Sequence, residues 1–105
     1  INMEWPDMMG GGFHFLRLEG YFTDAGNNYG YAMHIGTNPC LIPVQLPNAI
    51  TVTAESQTNL TLKMNVNEWF RNPNTYDFNI DGNYTMGNMP LMMKITENGH
   101  DVFTF

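Results

Sequence analysis

The sequence predicts a mostly β chain: an antiparallel β-sandwich of immunoglobulin-like type with one short C-terminal helix. Three observations lead there. Several short runs alternate apolar and polar residues with a period of two, and clusters of Asn, Asp, Gly and Pro separate them. Only one stretch, Asn88 to Gly99, carries helix start and stop signals together. At 105 residues the chain makes one domain, residues 1–105, with a single core.

Residues Ile1 to Gly12 read INMEWPDMMGGG, an irregular opening in which Pro6 holds Trp5 extended and three glycines loosen the approach to Phe13. The first strand starts at Phe13. Phe13, Phe15, Arg17, Glu19 and Tyr21 fall on one face; His14, Leu16, Leu18 and Phe22 fall on the other, which is the aliphatic and therefore the core face. A polar cluster, Thr23 to Asn28, then predicts a hairpin loop of several residues. In the returning strand Tyr29, Tyr31, Met33 and Ile35 alternate with Gly30, Ala32 and His34, and the small residues of the second set suit a face that another group approaches closely.

Thr37-Asn38-Pro39 ends that strand, and Pro43 and Pro47 make Leu41 to Leu46 an edge or covering segment. Ile50 to Ala54 and Leu60 to Asn67 alternate cleanly and predict a second hairpin through Glu55 to Asn59, each strand with one wet face. Asn67 to Arg71 is expected to form a helical turn, and Tyr76 to Tyr84 an ordered loop. The helix comes next, with Asn88 as cap, Pro90 in the first turn and Asn98-Gly99 as a left-handed stop. Val102, Phe103 and Phe105 complete a terminal strand.

Charge excludes one class of partner. A net charge of -6 repels phosphate backbones, so nucleic acid is not expected as a ligand. No apolar run approaches the roughly 20 residues that span a bilayer, so no membrane span is expected. Charged residues are only 13% and Asn is abundant, a balance associated with exported β proteins. The chain opens without an initiator Met, which predicts a trimmed product. A lone Cys40 cannot form an intrachain disulfide, which points to a partner on a segment outside the chain.

No nucleophile elbow, Walker loop, Rossmann glycine pattern, CxxC, HExxH or EF-hand spacing occurs, and the acids are scattered singly, so no enzyme activity is expected. Metal binding is the sharper expectation. His14, His34 and nine methionines supply imidazole and thioether, the donor set that favours copper(I) over hard cations. Met89, Met92 and Met93 at helical spacing read first as the flexible filler of a core. Trp5 and Trp69 read as packing anchors, and His100 beside Asp101 as a solvated pair.

Hairpin arithmetic argues against His14 and His34 sharing an ion unaided. With the turn centred on Gly26, position 34 faces position 18 and His14 lies four residues away, about 13 Å at roughly 3.3 Å per residue. Moving the centre by half a residue puts the two histidines on opposite faces. A shared site needs a turn centred near Asp24 or strands of different sheets; otherwise His34 takes its other ligands from outside the hairpin.

Five segments together resemble a known family: Met3 with Trp5, the Gly-rich lead into FxFLRLEG (Phe13 to Gly20), MHIG (Met33 to Gly36), VNEWF (Val66 to Phe70) and ENGxDVF (Glu97 to Phe103). They resemble the MbnP-like proteins, periplasmic or surface proteins related to the methanobactin-associated copper-binding proteins. The resemblance implies an exported β-sandwich that holds one copper(I) with histidines and an oxidised tryptophan, kynurenine, made by a dihaem peroxidase-like partner. It carries over first to His34 and then to His14. The Trp-x-His arrangement is not matched, because Pro6 and Asp7 follow Trp5 while Phe70 and Arg71 follow Trp69; the resemblance therefore assigns the modification to neither. Family members are longer, which implies N-terminal strands on a preceding segment or a second chain that complete the sheet. The expected function is non-catalytic copper(I) binding, and the alternative is a metal-free surface interaction or adhesion module presenting Tyr76, Phe78 and Tyr84.

Overall fold

A computed structural model describes residues 3–105 of the chain. The first two residues of the expected opening loop lie outside the described residues. Regular structure is mostly strand: β1 (His14–Asp24) and β2 (Asn27–Gly36) form one antiparallel sheet, and β3 (Lys63–Met64) and β4 (Phe103–Thr104) form a second. Among the described residues one α-helix, α1 (Met89–Asn98), and short 3-10 turns complete the order. Among the described residues the strands thus make two small sheets, and the full sandwich expected from the sequence is not formed.

The turn between β1 and β2 is tighter than the polar cluster suggested. Asp24 pairs with Asn27, which leaves Ala25 and Gly26 as a two-residue loop with φ of 49° and 81°. Positive φ at both central residues is the signature of a type I′ turn, whose twist matches that of the flanking strands. Leu16, Leu18 and Phe22 of β1 turn inward as expected, and Met33 and Ile35 of β2 are completely buried.

The second hairpin expected from 50–54 and 60–67 is absent as a strand pair. Every residue from 47 to 67 is exposed, including the alternating Ile50, Val52, Leu60 and Leu62. Alternation predicts a half-buried strand only where something covers the apolar face, and here nothing within the described residues does. Lys63 and Met64 pair with Thr104 and Phe103, and the Asn65 amide donates to the Val102 carbonyl at 2.9 Å. The exposed stretch helps explain a radius of gyration of 16.6 Å, against about 13 Å for a compact domain of this length.

The helix begins as the residues require. Asn88 accepts a hydrogen bond from the Leu91 amide at 3.2 Å and Pro90 sits in the first turn, where its missing N–H costs nothing. Its end differs from expectation. Gly99 has φ of -73°, and the chain continues into a 3-10 turn, Gly99–Asp101, without a left-handed stop. Glycine is needed there for closeness: a Cβ would stand 2.5 Å from Ile42 Cγ2 and 2.7 Å from Trp69 Cζ3. Asn98 is a buried clamp. Its amide donates to the Trp69 and Asn74 carbonyls at 2.9 and 2.8 Å, and its oxygen accepts from the Asn74 amide at 2.8 Å. Trp69 comes from the 3-10 turn Val66–Phe70, the helical turn anticipated around Asn67 to Arg71.

Tyr76 to Tyr84 is the ordered loop expected. Lys94 reaches from α1 to Asp81 at 2.7 Å, and the Tyr76 hydroxyl donates to the Gly82 carbonyl at 2.8 Å. Phe78 stacks on Tyr31, with centroids 4.8 Å apart and an interplanar angle of 19°. The loop then meets the free edge of β2, where Ala32 donates to the Asn83 carbonyl at 2.8 Å and the Thr85 amide donates to the Ala32 carbonyl at 3.4 Å.

Candidate metal centre

The ladder of β1 and β2 is regular from Asp24 to Leu16, where Arg17 faces His34 and Leu16 faces Ile35. One residue later it slips. His14, not Phe15, pairs with Gly36, so Phe15 is the extra residue of a β-bulge. Because side chains alternate with a period of two, one inserted residue moves everything beyond it to the other face. Phe15 and Leu16 both line the apolar cleft bounded by Ile42, Trp69 and Phe103, and His14 joins His34 on the opposite side.

The two imidazoles lie with centroids 5.1 Å apart and planes at 72°. This corrects the register arithmetic, which kept them apart: the turn centre falls half a residue from Gly26, as the opposite-face case required, and the bulge then reverses the outcome. The Trp5 indole packs against His14 at 4.8 Å, completing a row of three rings. Trp5 is buried and its Nε1 donates to the Met9 carbonyl at 2.9 Å. Gly36 makes room for it, since a Cβ there would stand 2.1 Å from Trp5 Cε3. The close approach anticipated for the small-residue face of β2 is therefore made by Trp5.

Each histidine is held from behind. The His14 amide donates to the Met3 carbonyl at 2.7 Å, and its ring Nδ1 lies 3.4 Å from the same oxygen. The Thr85 hydroxyl clips the His34 backbone, accepting from its amide and donating to its carbonyl, both at 2.9 Å. His34 Nε2 is 2.6 Å from Glu19 Oε1, and Arg17 holds the same carboxylate oxygen at 2.9 Å. Glu19 is thereby drawn below its ordinary range, by Arg17 first and by His34 second. The remaining ring nitrogen, His34 Nδ1, is buried and has no hydrogen-bond partner among the described residues.

That orphan nitrogen is the observation against which a metal is tested. An imidazole whose second nitrogen rests on a carboxylate is the usual arrangement of a metal-ligating histidine, in which the carboxylate fixes the ring and raises its basicity. Two imidazoles on one ion, with bonds of about 2.0–2.1 Å, have centroids up to ~6 Å apart, so the observed separation fits. Among the described residues no cluster of three or more His, Cys, Asp or Glu gathers. The donor set therefore suits a soft ion of low coordination number and not a hard cation that needs six oxygens. In its present form Trp5 is no ligand, because an indole offers only a donor.

Both site residues expected from the sequence, His14 and His34, are thus brought together. Glu19, Thr85, Gly36 and the placement of Trp5 were not foreseen. Glu19 was within reach: once the loop is taken as two residues, it shares a face with His34 and sits diagonally across the ladder. Thr85, 51 residues from His34, had no local signal. His100 and Asp101 remain an exposed pair 4.0 Å apart, as expected.

No curated protein matches the chain, and no solved structure does. The MbnP family model matches residues 2–92, a span that holds the Trp5, His14 and His34 segments and leaves out only the closing ENGxDVF stretch among those that carried the resemblance. The chain belongs to the MbnP family.

Proposed function

We propose that this chain is an exported, non-catalytic protein that binds copper(I) between His14 and His34. The observation that carries the reading is His34 itself, with Nε2 on Glu19 at 2.6 Å, Nδ1 buried without a partner and the His14 ring 5.1 Å away. His34 Nδ1 and a His14 ring nitrogen would hold the ion, Glu19 and Arg17 would fix the His34 ring, and Trp5 would shield the pair from water. Copper(I) bound there would supply a soft, monovalent Lewis acid of the kind imidazole nitrogens hold. Family membership and the polar, uncharged composition support the exported location.

The dihaem peroxidase-like partner belongs to the same proposal. Of the two tryptophans, Trp5 is the one beside the histidines, so spatial adjacency stands in for the missing Trp-x-His spacing. The two small sheets are proposed to be part of a larger β-sandwich. Its further strands, from a preceding segment or a second chain, would cover the exposed alternating residues Ile50, Val52, Leu60 and Leu62.

Anaerobic competition with a chromophoric copper(I) chelator tests the site. His34→Ala and His14→Ala are each expected to weaken binding at least tenfold, and unchanged competition in His34→Ala would sink the assignment. The metal-free interaction module is less well supported, because two of its three proposed contact aromatics are internal. Tyr76 is buried and Phe78 stacks on Tyr31, which leaves Tyr84 exposed.

A further inference from the structure

A second group of soft donors lies on other elements. Cys40 ends the 3-10 turn Asn38–Cys40 and is completely buried, while Met89 and Met93 stand one turn apart on α1 and share a face. Cys40 Sγ is 3.6 Å from Met89 Sδ and 3.8 Å from Met93 Sδ. A thiol has one hydrogen and is a weak donor, so it satisfies at most one of the two thioethers. Hydrogen bonding therefore does not account for the convergence of both.

A bound cation does account for it. Sulfurs about 2.3 Å from a shared metal stand ~3.8 Å apart around a tetrahedral ion and ~4.0 Å apart around a trigonal one, close to both separations. Thioethers are poor ligands for zinc, which takes thiolate, imidazole and carboxylate, whereas thiolate and thioether together select copper(I). Charge agrees, since one thiolate and one monovalent cation give a neutral pair that suits a buried position. Met89 is partly exposed at the start of the helix, so the cluster opens to solvent past its side chain.

We propose that Cys40, Met89 and Met93 form a copper(I) site separate from the histidine pair. As the ion enters, the Cys40 S–H bond breaks and its proton leaves to solvent. The Sγ lone pair then binds copper, the two thioethers donate lone pairs, and no electron changes hands. Burial raises the Cys40 thiol above its ordinary range, and a Thr96 hydrogen bond opposes this. The site does not depend on His14 or His34.

The test is anaerobic copper(I) titration of the full chain, combined with X-ray absorption at the copper edge. The expected result is two equivalents bound, with sulfur neighbours in the wild type and in His34→Ala. Met89→Leu with Met93→Leu conserves core volume and so keeps the fold; it is expected to lose one equivalent and the sulfur shell. Cys40→Ser is expected to do the same. A wild-type edge with only nitrogen or oxygen neighbours, or a sulfur shell that survives in the double methionine variant, overturns the proposal. A wild type that binds one equivalent with a sulfur shell and no nitrogen neighbours would overturn the histidine site and leave this one standing.

Discussion

The imidazoles of His14 and His34 stand 5.1 Å apart because of a bulge at Phe15, not because of the hairpin turn. A regular ladder continued from Leu16 and Ile35 would pair Phe15 with Gly36 and send His14 into the apolar cleft. The bulge instead pairs His14 with Gly36 and gives Phe15 to that cleft. A single unpaired residue thus decides whether a two-histidine site exists.

Deleting Phe15 tests this account. His14 then directly precedes Leu16 and still faces Gly36, so copper(I) affinity is expected to change less than threefold. Stability should fall by about 1–3 kcal/mol for the lost aromatic burial. Chelator competition and urea unfolding on the same preparation check both, and loss of copper binding in a folded deletion variant would contradict the register.

Glu19→Gln keeps the shape of the side chain and removes the charge on His34 Nε2. Copper(I) affinity is expected to drop 10–100-fold, the usual cost of losing a carboxylate behind a ligating imidazole. The effect has a pH limb as well. Arg17 first and His34 second draw the Glu19 carboxyl below its ordinary 4.5, so the contact is complete above that value and is lost as pH falls through the depressed one. Affinity measured on the acid side should converge for wild type and variant.

Gly36→Ala drives a methyl into the Trp5 ring, 2.1 Å from Cε3. Backbone on β2 cannot retreat while it pairs with β1, so the indole must move. The expected cost is about 1–3 kcal/mol, as for other overpacked sites. A red shift of tryptophan emission and weaker copper binding should accompany it; an unshifted spectrum would show that the indole is not held where described.

Burial pushes the Tyr76 phenol up to about 12, with Asp81 adding to the effect, while its hydroxyl donates to the Gly82 carbonyl. Because the folded chain favours the neutral phenol, this stabilisation is whole below the unfolded value of 10 and is lost as pH rises from there to about 12. Tyr76→Phe is expected to cost about 0.5–1.5 kcal/mol at neutral pH and to flatten the alkaline slope of the urea midpoint.

Lys94 and the Asp77 amide hold the Asp81 carboxyl below its usual value, in that order. Their contribution is present above pH 3.8 and disappears as pH falls through the depressed value. Asp81→Asn should cost up to about 1 kcal/mol near neutrality and nothing in strong acid, as read from denaturant midpoints across that range.

Local chemistry was enough for several elements. Asn88 with Pro90 marks a helix start in any context, because both satisfy backbone needs within a few residues. The alternation of Leu16, Leu18 and Phe22 marks the inner face of β1 for the same reason, and five short segments together marked the family. The Ile50 and Leu60 runs show the limit of such patterns. They state which face seeks cover but not whether cover is present, and here both faces are wet.

The order of residues is enough to place two histidines on paired strands in a chain rich in soft donors. That they face each other is a product of tertiary packing. Side chains alternate every residue along a strand, so one bulged position inverts the result, and nothing near His14 announces it. What selects the bulge is distant packing: Trp5 lying over Gly36, and the cleft bounded by Ile42, Trp69 and Phe103 that receives Phe15. The same holds for Cys40, Met89 and Met93, whose sulfurs converge because a turn and a helix about 50 positions apart dock on one core.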